Sequence, residues 1–243
     1  MEVRHGDLCR EGVDAIVNAA NERMMHGAGV ARAIADAAGG GIVDRESAEW
    51  IRSNGLLVTG RVAAITSAGA LPCKWVVHVT GPTQERDAPL LRSAVMAALN
   101  KAEEANCESI ALPAISSGIF GFPLPLCAKI LVECGMEFAR GGPRFVRRIA
   151  YTNIDIKTAT ALQKALEDYR PDEPGAAGAA GAGVAGSPVV RSVSGLEQQT
   201  MRKDPKTGPA SAFAWDPNSL PPQAQSLQTK GRYGGRAGGT IRT

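Results

Sequence analysis

Short apolar runs alternate with helical stripes through the first 170 residues, and this alternation constrains the fold more than any other feature. VDAIV (13–17), RVAAIT (61–66), WVVHVT (75–80), SIALPA (109–114) and RFVRRIAY (144–151) are short and rich in Val, Ile and aromatic residues, the composition of strands. EVRH (2–5) is a weaker sixth candidate. Between them, Val30, Ala33, Ile34 and Ala37 fall on one helical face, and Gly39-Gly40-Gly41 ends that helix. A second stripe runs through Leu91, Val95, Ala98 and Leu99, a third through Leu126, Ile130, Leu131 and Phe138, and a fourth through Leu162, Leu166 and Tyr169. One more helix is predicted over 45–51, ending near Asn54-Gly55. Strands alternating with helices predict an α/β domain with helices on both faces of a parallel or mixed sheet. Ligands of such sheets sit beyond the carboxyl ends of the strands, in the loops that lead into helices.

After Tyr169 the pattern stops. RPDEPGAAGAAGAGVAGSP is a Gly/Ala/Pro tract, and the remainder is rich in Ser, Gln, Pro and Gly. Such a segment buries too little surface to offset its ordering entropy, so 171–243 is expected to be a disordered tail and 1–170 a single domain. Charge divides the same way: 19 Lys and Arg balance 19 Asp and Glu up to residue 170, and 8 face 5 beyond it. The ending KGRYGGRAGGTIRT suits weak, non-specific nucleic-acid contact, although a solvated tail is the simpler reading. Five cysteines without metal-ligand spacing read as reduced thiols, which points to an intracellular compartment, cytoplasm or nucleus. There is no run of the 18 or so apolar residues that a membrane span needs, and MEVRHGD is no signal peptide.

Two glycine loops carry the chemistry. In NAANERMMHGAGVARAI (18–34), Gly27-Ala28-Gly29 opens a helix, so free N–H groups and the positive end of the helix dipole face that loop. This is an arrangement for an anion, most simply a phosphate. In PAISSGIFGFP (113–123), Ser116, Ser117, Gly118 and Gly121 offer hydroxyls and backbone donors, while Ile119 and Phe120 put large apolar groups in a loop, as a groove wall does. Two such loops on adjacent strands suit a diphosphate. Neither contains Gly-Lys-Ser/Thr, which argues against an NTPase, and the dinucleotide fingerprint is also missing. Asp7 in HGDLC can accept from an exocyclic amine, or cap a turn. Tyr151 can stack on a base, or pack in the core, and Asn21 can hold sugar hydroxyls, or close an Asx turn.

In this order, GDL, VDAIVNAAN and HGAGVARAI (6–34) with ISSGIFGFP (115–123) resemble the macrodomain family, which binds ADP-ribose. GLLVTGRVAAITSAGALPCKWVVHVTGP (55–82) is similar to the family's middle strands. The resemblance implies a three-layer α/β/α fold with a mixed sheet of about six strands. It puts the adenine amine on Asp7, the base near Leu8 and Tyr151, and the diphosphate between Gly27, Ala28, Gly29, Val30 and Ser116, Ser117, Gly118, Ile119, Phe120. The distal ribose then lies against Asn21 with His26 nearby, and these two are the catalytic candidates. The implied activity is removal of mono-ADP-ribose from acidic side chains of modified proteins, by a monomer without metal or cofactor. A reader that binds the same ligand without turnover is the alternative.

Two departures bear on that choice. Relatives usually carry three consecutive glycines after the histidine, whereas this chain has Ala28 in the middle, a methyl that crowds the ligand or demands an unfavourable backbone angle. One hydrolytic branch has an Asp where this chain has Ala31. The branch of viral and poly(ADP-ribose)-polymerase-associated macrodomains uses Asn and His instead, kept here as Asn21 and His26. The opening strand of many relatives is expected to be short or lost.

Overall fold

The computed structural model describes residues 1–171, so the tail expected over 171–243 lies outside the described residues except for its first position. Six strands form one sheet: β1 (Glu2–His5), β2 (Ala15–Ala19), β3 (Ala64–Ser67), β4 (Trp75–Val79), β5 (Ser109–Leu112) and β6 (Arg148–Asn153). Their order is β1-β6-β5-β2-β4-β3, parallel throughout except for β3, which pairs antiparallel with β4. The expected α/β/α fold with a mixed six-stranded sheet is the one observed.

Two buried clusters, one on each face of the sheet, explain why the strands read as continuous apolar runs. Ala15, Val17, Val77, Val79, Ile110, Leu112, Ile149 and Tyr151 belong to one cluster. It also contains Leu91 and Leu99 of α3 (Ala88–Glu104), Leu131 of α4 (Leu124–Arg140) and Leu162 of α5 (Ile156–Asp168). The alternate residues Ile16, Val76, Ala111 and Ala150 pack with Ile34 of α1 (Gly29–Ala38) and Val43 of α2 (Ile42–Asn54). Strands covered on both faces need no polar alternation.

Local chemistry sets the helix ends. Gly39, Gly40 and Gly41 all have positive φ and separate α1 from α2, which is longer than the 45–51 predicted. Asp155 caps α5, its carboxylate accepting from the Thr158 N–H (2.9 Å) and hydroxyl (2.7 Å). Pro123 precedes α4 and Pro125 lies in its first turn, where a missing N–H costs nothing. Because β1, β2, β4, β5 and β6 run the same way, the loops after all five emerge along one edge of the sheet.

Candidate functional site

At that edge the loop after β2 feeds α1. Ala28 is the residue before the helix, with φ −158° and ψ 169°, an extended conformation open to any residue. The angle that needs glycine is at Gly29, where φ is +59°. The unfavourable backbone angle expected of Ala28 is therefore absent, and its methyl stands on an exposed residue. The N–H groups of Gly29, Val30 and Ala31 in the first helical turn have no intrahelical acceptor.

The loop after β5 is tied to itself. Ser117 donates its N–H (3.3 Å) and hydroxyl (2.9 Å) to the Ala114 carbonyl, Phe122 N–H bonds the Ser116 carbonyl (3.0 Å), and Gly121 N–H bonds the Gly118 carbonyl (3.0 Å). Among the described residues the N–H groups of Gly118, Ile119 and Phe120 have no such partner. Ile119 is 74% exposed, and a Cβ built on Gly29 would lie 3.9 Å from its Cδ1. The two glycine loops thus face each other across a narrow gap with backbone donors on both sides. Ser116 differs from expectation: it is buried at φ +71° with an unpartnered hydroxyl, so its side chain faces inward rather than a ligand.

Asn21 and His26 both lie in the loop after β2, and both side chains are already engaged. The Asn21 side-chain oxygen accepts from the N–H groups of Arg23 (3.1 Å) and Met25 (3.0 Å), and its amide donates to the Met25 carbonyl (2.9 Å). This is the turn-closing alternative, and it shapes the loop. The His26 side chain is only 1% exposed, with Nδ1 at 2.9 Å from Asp44 Oδ1 and Nε2 buried without a partner. It is not an open group beside the gap, because α2 brings Asp44 to it and β4 packs His78 alongside, ring centroids 5.5 Å apart.

At the other end of the edge, Asp7 is partly exposed. Its carboxylate accepts from Cys9 N–H (2.9 Å), capping a 3-10 turn, and lies 3.6 Å from Arg10. Leu8 and Tyr151 do not line a base pocket. Leu8 is buried with Val13 and Ile16. Tyr151 is fully buried, its hydroxyl donating to the Leu131 carbonyl (2.5 Å), because β6 runs two residues past it to Asn153 and the ring points under α4. Burial also pushes the phenol far above its ordinary range. The apolar group presented at this end is Ile154, 77% exposed, whose carbonyl is 3.0 Å from His5 Nε2. An exposed isoleucine in a loop is the same signal that singled out Ile119.

Three supporting residues escaped sequence reasoning. Asn153 accepts from Ala114 N–H (2.9 Å) and anchors the loop after β5 to the end of β6. Gly81, after β4, lies against Ser116 Oγ, and a Cβ there would also come within 2.8 Å of Ile115 Cγ2. Asp44 holds His26. The first two show no signal in sequence, since each acts through a contact far along the chain. The cysteines are free, and burial pushes Cys127 and Cys134 up to about 12, so neither is an ionised nucleophile at neutral pH. Among the described residues no cluster of His, Cys, Asp and Glu is arranged to hold a metal, and no helix is long and apolar enough to cross a membrane.

Known proteins share this architecture and sequence. A family model described as Macro domain matches residues 17–131. A Sulfolobus acidocaldarius protein is 43% identical over 68% of this chain and 90% of its own length. The O-acetyl-ADP-ribose deacetylase of Citrobacter rodentium is 39% identical over 68% of this chain and 94% of its own. Among solved structures, an Oceanobacillus iheyensis macrodomain variant with ADPR superposes with a TM-score of 0.63 at 28% identity, covering 68% of this chain and 90% of that one. On sequence and fold together, the chain belongs to the macrodomain family.

Proposed function

We propose that this chain binds ADP-ribose and removes mono-ADP-ribose from acidic side chains of modified proteins. The observation that carries the binding reading is the facing pair of glycine loops, with the first turn of α1 on one side and Gly118, Ile119 and Phe120 on the other. Unsatisfied N–H groups and a helix dipole converging on one gap are suited to a diphosphate. Asp7 supports an adenine at one end, since its carboxylate has capacity beyond its single cap bond. Asn21 marks the distal ribose end.

The hydrolytic reading is supported by the deacetylase relative, whose named substrate is also an ester of ADP-ribose. Hydrolysis here breaks the ester between the distal ribose and a Glu or Asp carboxyl, with water giving its hydroxyl to one product and its proton to the other. The chain's contribution is positional: the diphosphate fixes the ligand, and the loops limit the water's approach. The five free cysteines support a reducing, intracellular setting.

One observation favours the reader alternative. Asn21 is bonded within its own loop and His26 is shielded, so neither meets a ligand without rearranging. Incubation with a glutamate-linked mono-ADP-ribosylated protein, following free ADP-ribose, separates the two readings. Release that is lost in Asn21→Ala while binding is kept supports the hydrolase. Binding without release, under conditions where another hydrolase acts on the same substrate, supports the reader.

A further inference from the structure

Asp44 has no role in the ligand reading above, yet it is the group that fixes His26. It stands in the first turn of α2, 58% exposed, with Oδ1 at 2.9 Å from Nδ1 of a side chain only 1% exposed. A carboxylate has no hydrogen to donate, so Nδ1 carries the hydrogen, and in the Nδ1–H form of the ring the lone pair stands on Nε2. That atom is buried and unpartnered among the described residues.

The ring beside it does not satisfy it. The ring packed beside His26 belongs to His78, and both its nitrogens are already engaged, Nδ1 with the Asn18 amide at 3.0 Å and Nε2 with Thr66 Oγ1 at 2.9 Å. Asn18 Oδ1, next to that ring, is a second buried acceptor without a donor. Buried acceptors are retained where something donates to them. An O–H group can donate to Nε2.

We propose that Asp44 is a positioning residue: it locks His26 in the Nδ1–H form, so that Nε2 accepts a hydrogen bond from an O–H group at the ribose end of the site. The donor is a water held beneath the ribose, since Nε2 is itself buried and meets no ligand directly. This rests on the ADP-ribose reading of the site. An acidic residue in a first helical turn also favours the helix dipole, but that role alone affects stability and leaves the imidazole tautomer untouched.

Long-range proton–nitrogen NMR of the imidazoles tests this on the full chain, which contains three histidines. The wild type and Asp44→Asn, whose amide oxygen still accepts, are expected to show His26 as Nδ1–H. Asp44→Ala is expected to show a mixed or Nε2–H population. Nε2 is expected to stay an acceptor, with no hydrogen attached, both before and after ADP-ribose is added. In parallel, Asp44→Ala should lower kcat for ADP-ribose release about 10-fold or more with KM changed less than about 3-fold, and Asp44→Asn should recover most of the rate. A tautomer unchanged in Asp44→Ala overturns the proposal, and so does an unchanged kcat. If the wild type releases no ADP-ribose, the hydrolytic reading fails separately. The pair is then judged by the tautomer alone.

Discussion

Ala28 looks like the residue most at odds with an anion loop, and the backbone shows why the chain tolerates it. Its extended angles suit any residue, whereas the left-handed angle belongs to Gly29. Ala28→Gly is accordingly expected to change ADP-ribose Kd by less than about 3-fold in a calorimetric titration. Gly29→Ala imposes a positive φ on a residue with a Cβ, and should cost about 1 kcal/mol of stability and weaken binding. Gly81 is a sharper case, because a methyl there would meet Ser116 Oγ and come within 2.8 Å of Ile115 Cγ2. Gly81→Ala should destabilise by about 1–3 kcal/mol and displace the loop carrying Ile119, read as a lower Tm together with a Kd weakened about 10-fold or more.

Among the elements, the strands and most helices were legible because apolar runs and 3.6-residue stripes report burial directly. Their ends were less so. RFVRRIAY suggested a strand closing at Tyr151, yet β6 continues to Asn153, and a parallel strand buried on both faces has no alternation to show which way a ring points. The same blindness hid His26, because a histidine in a polar loop gives no hint that Asp44 of the next helix will draw it inward. The glycine loops were legible, because their function lies in backbone geometry that glycine placement encodes. Asn153 was not, since its partner at Ala114 is distant in sequence. Replacing Asn153 by Ala removes the acceptor for the Ala114 N–H and should cost about 1 kcal/mol, with weaker ADP-ribose binding because the loop after β5 loses its anchor to β6. Thermal melts with and without ligand check both effects.

Across the whole molecule, the site sits where parallel strands end, and the polar groups buried under it link function to pH. His78 is fully buried, and burial, aided by neighbouring His26, pushes it down from 6.5 to about 3. The unfolded chain takes up that proton near pH 6.5 while the folded chain does not. Between pH 6.5 and about 3 the unfolded state therefore binds more protons, and stability falls as the solution is acidified, by up to about 1.4 kcal/mol per pH unit from this one group. Carboxylates held below their ordinary range, such as Asp14 beside Lys74 and Ser109, act in the same direction only at lower pH. The loss of Tm between pH 7 and pH 5 should accordingly be smaller in His78→Gln than in the wild type, even if the variant is less stable throughout.

The facing glycine loops are the heart of the proposed site, and a calorimetric titration of the full chain with ADP-ribose probes them. One-to-one binding is expected, weakened about 10-fold or more in Gly81→Ala and kept within about 3-fold in Ala28→Gly. No binding by the wild type, or binding indifferent to Gly81→Ala, would contradict it.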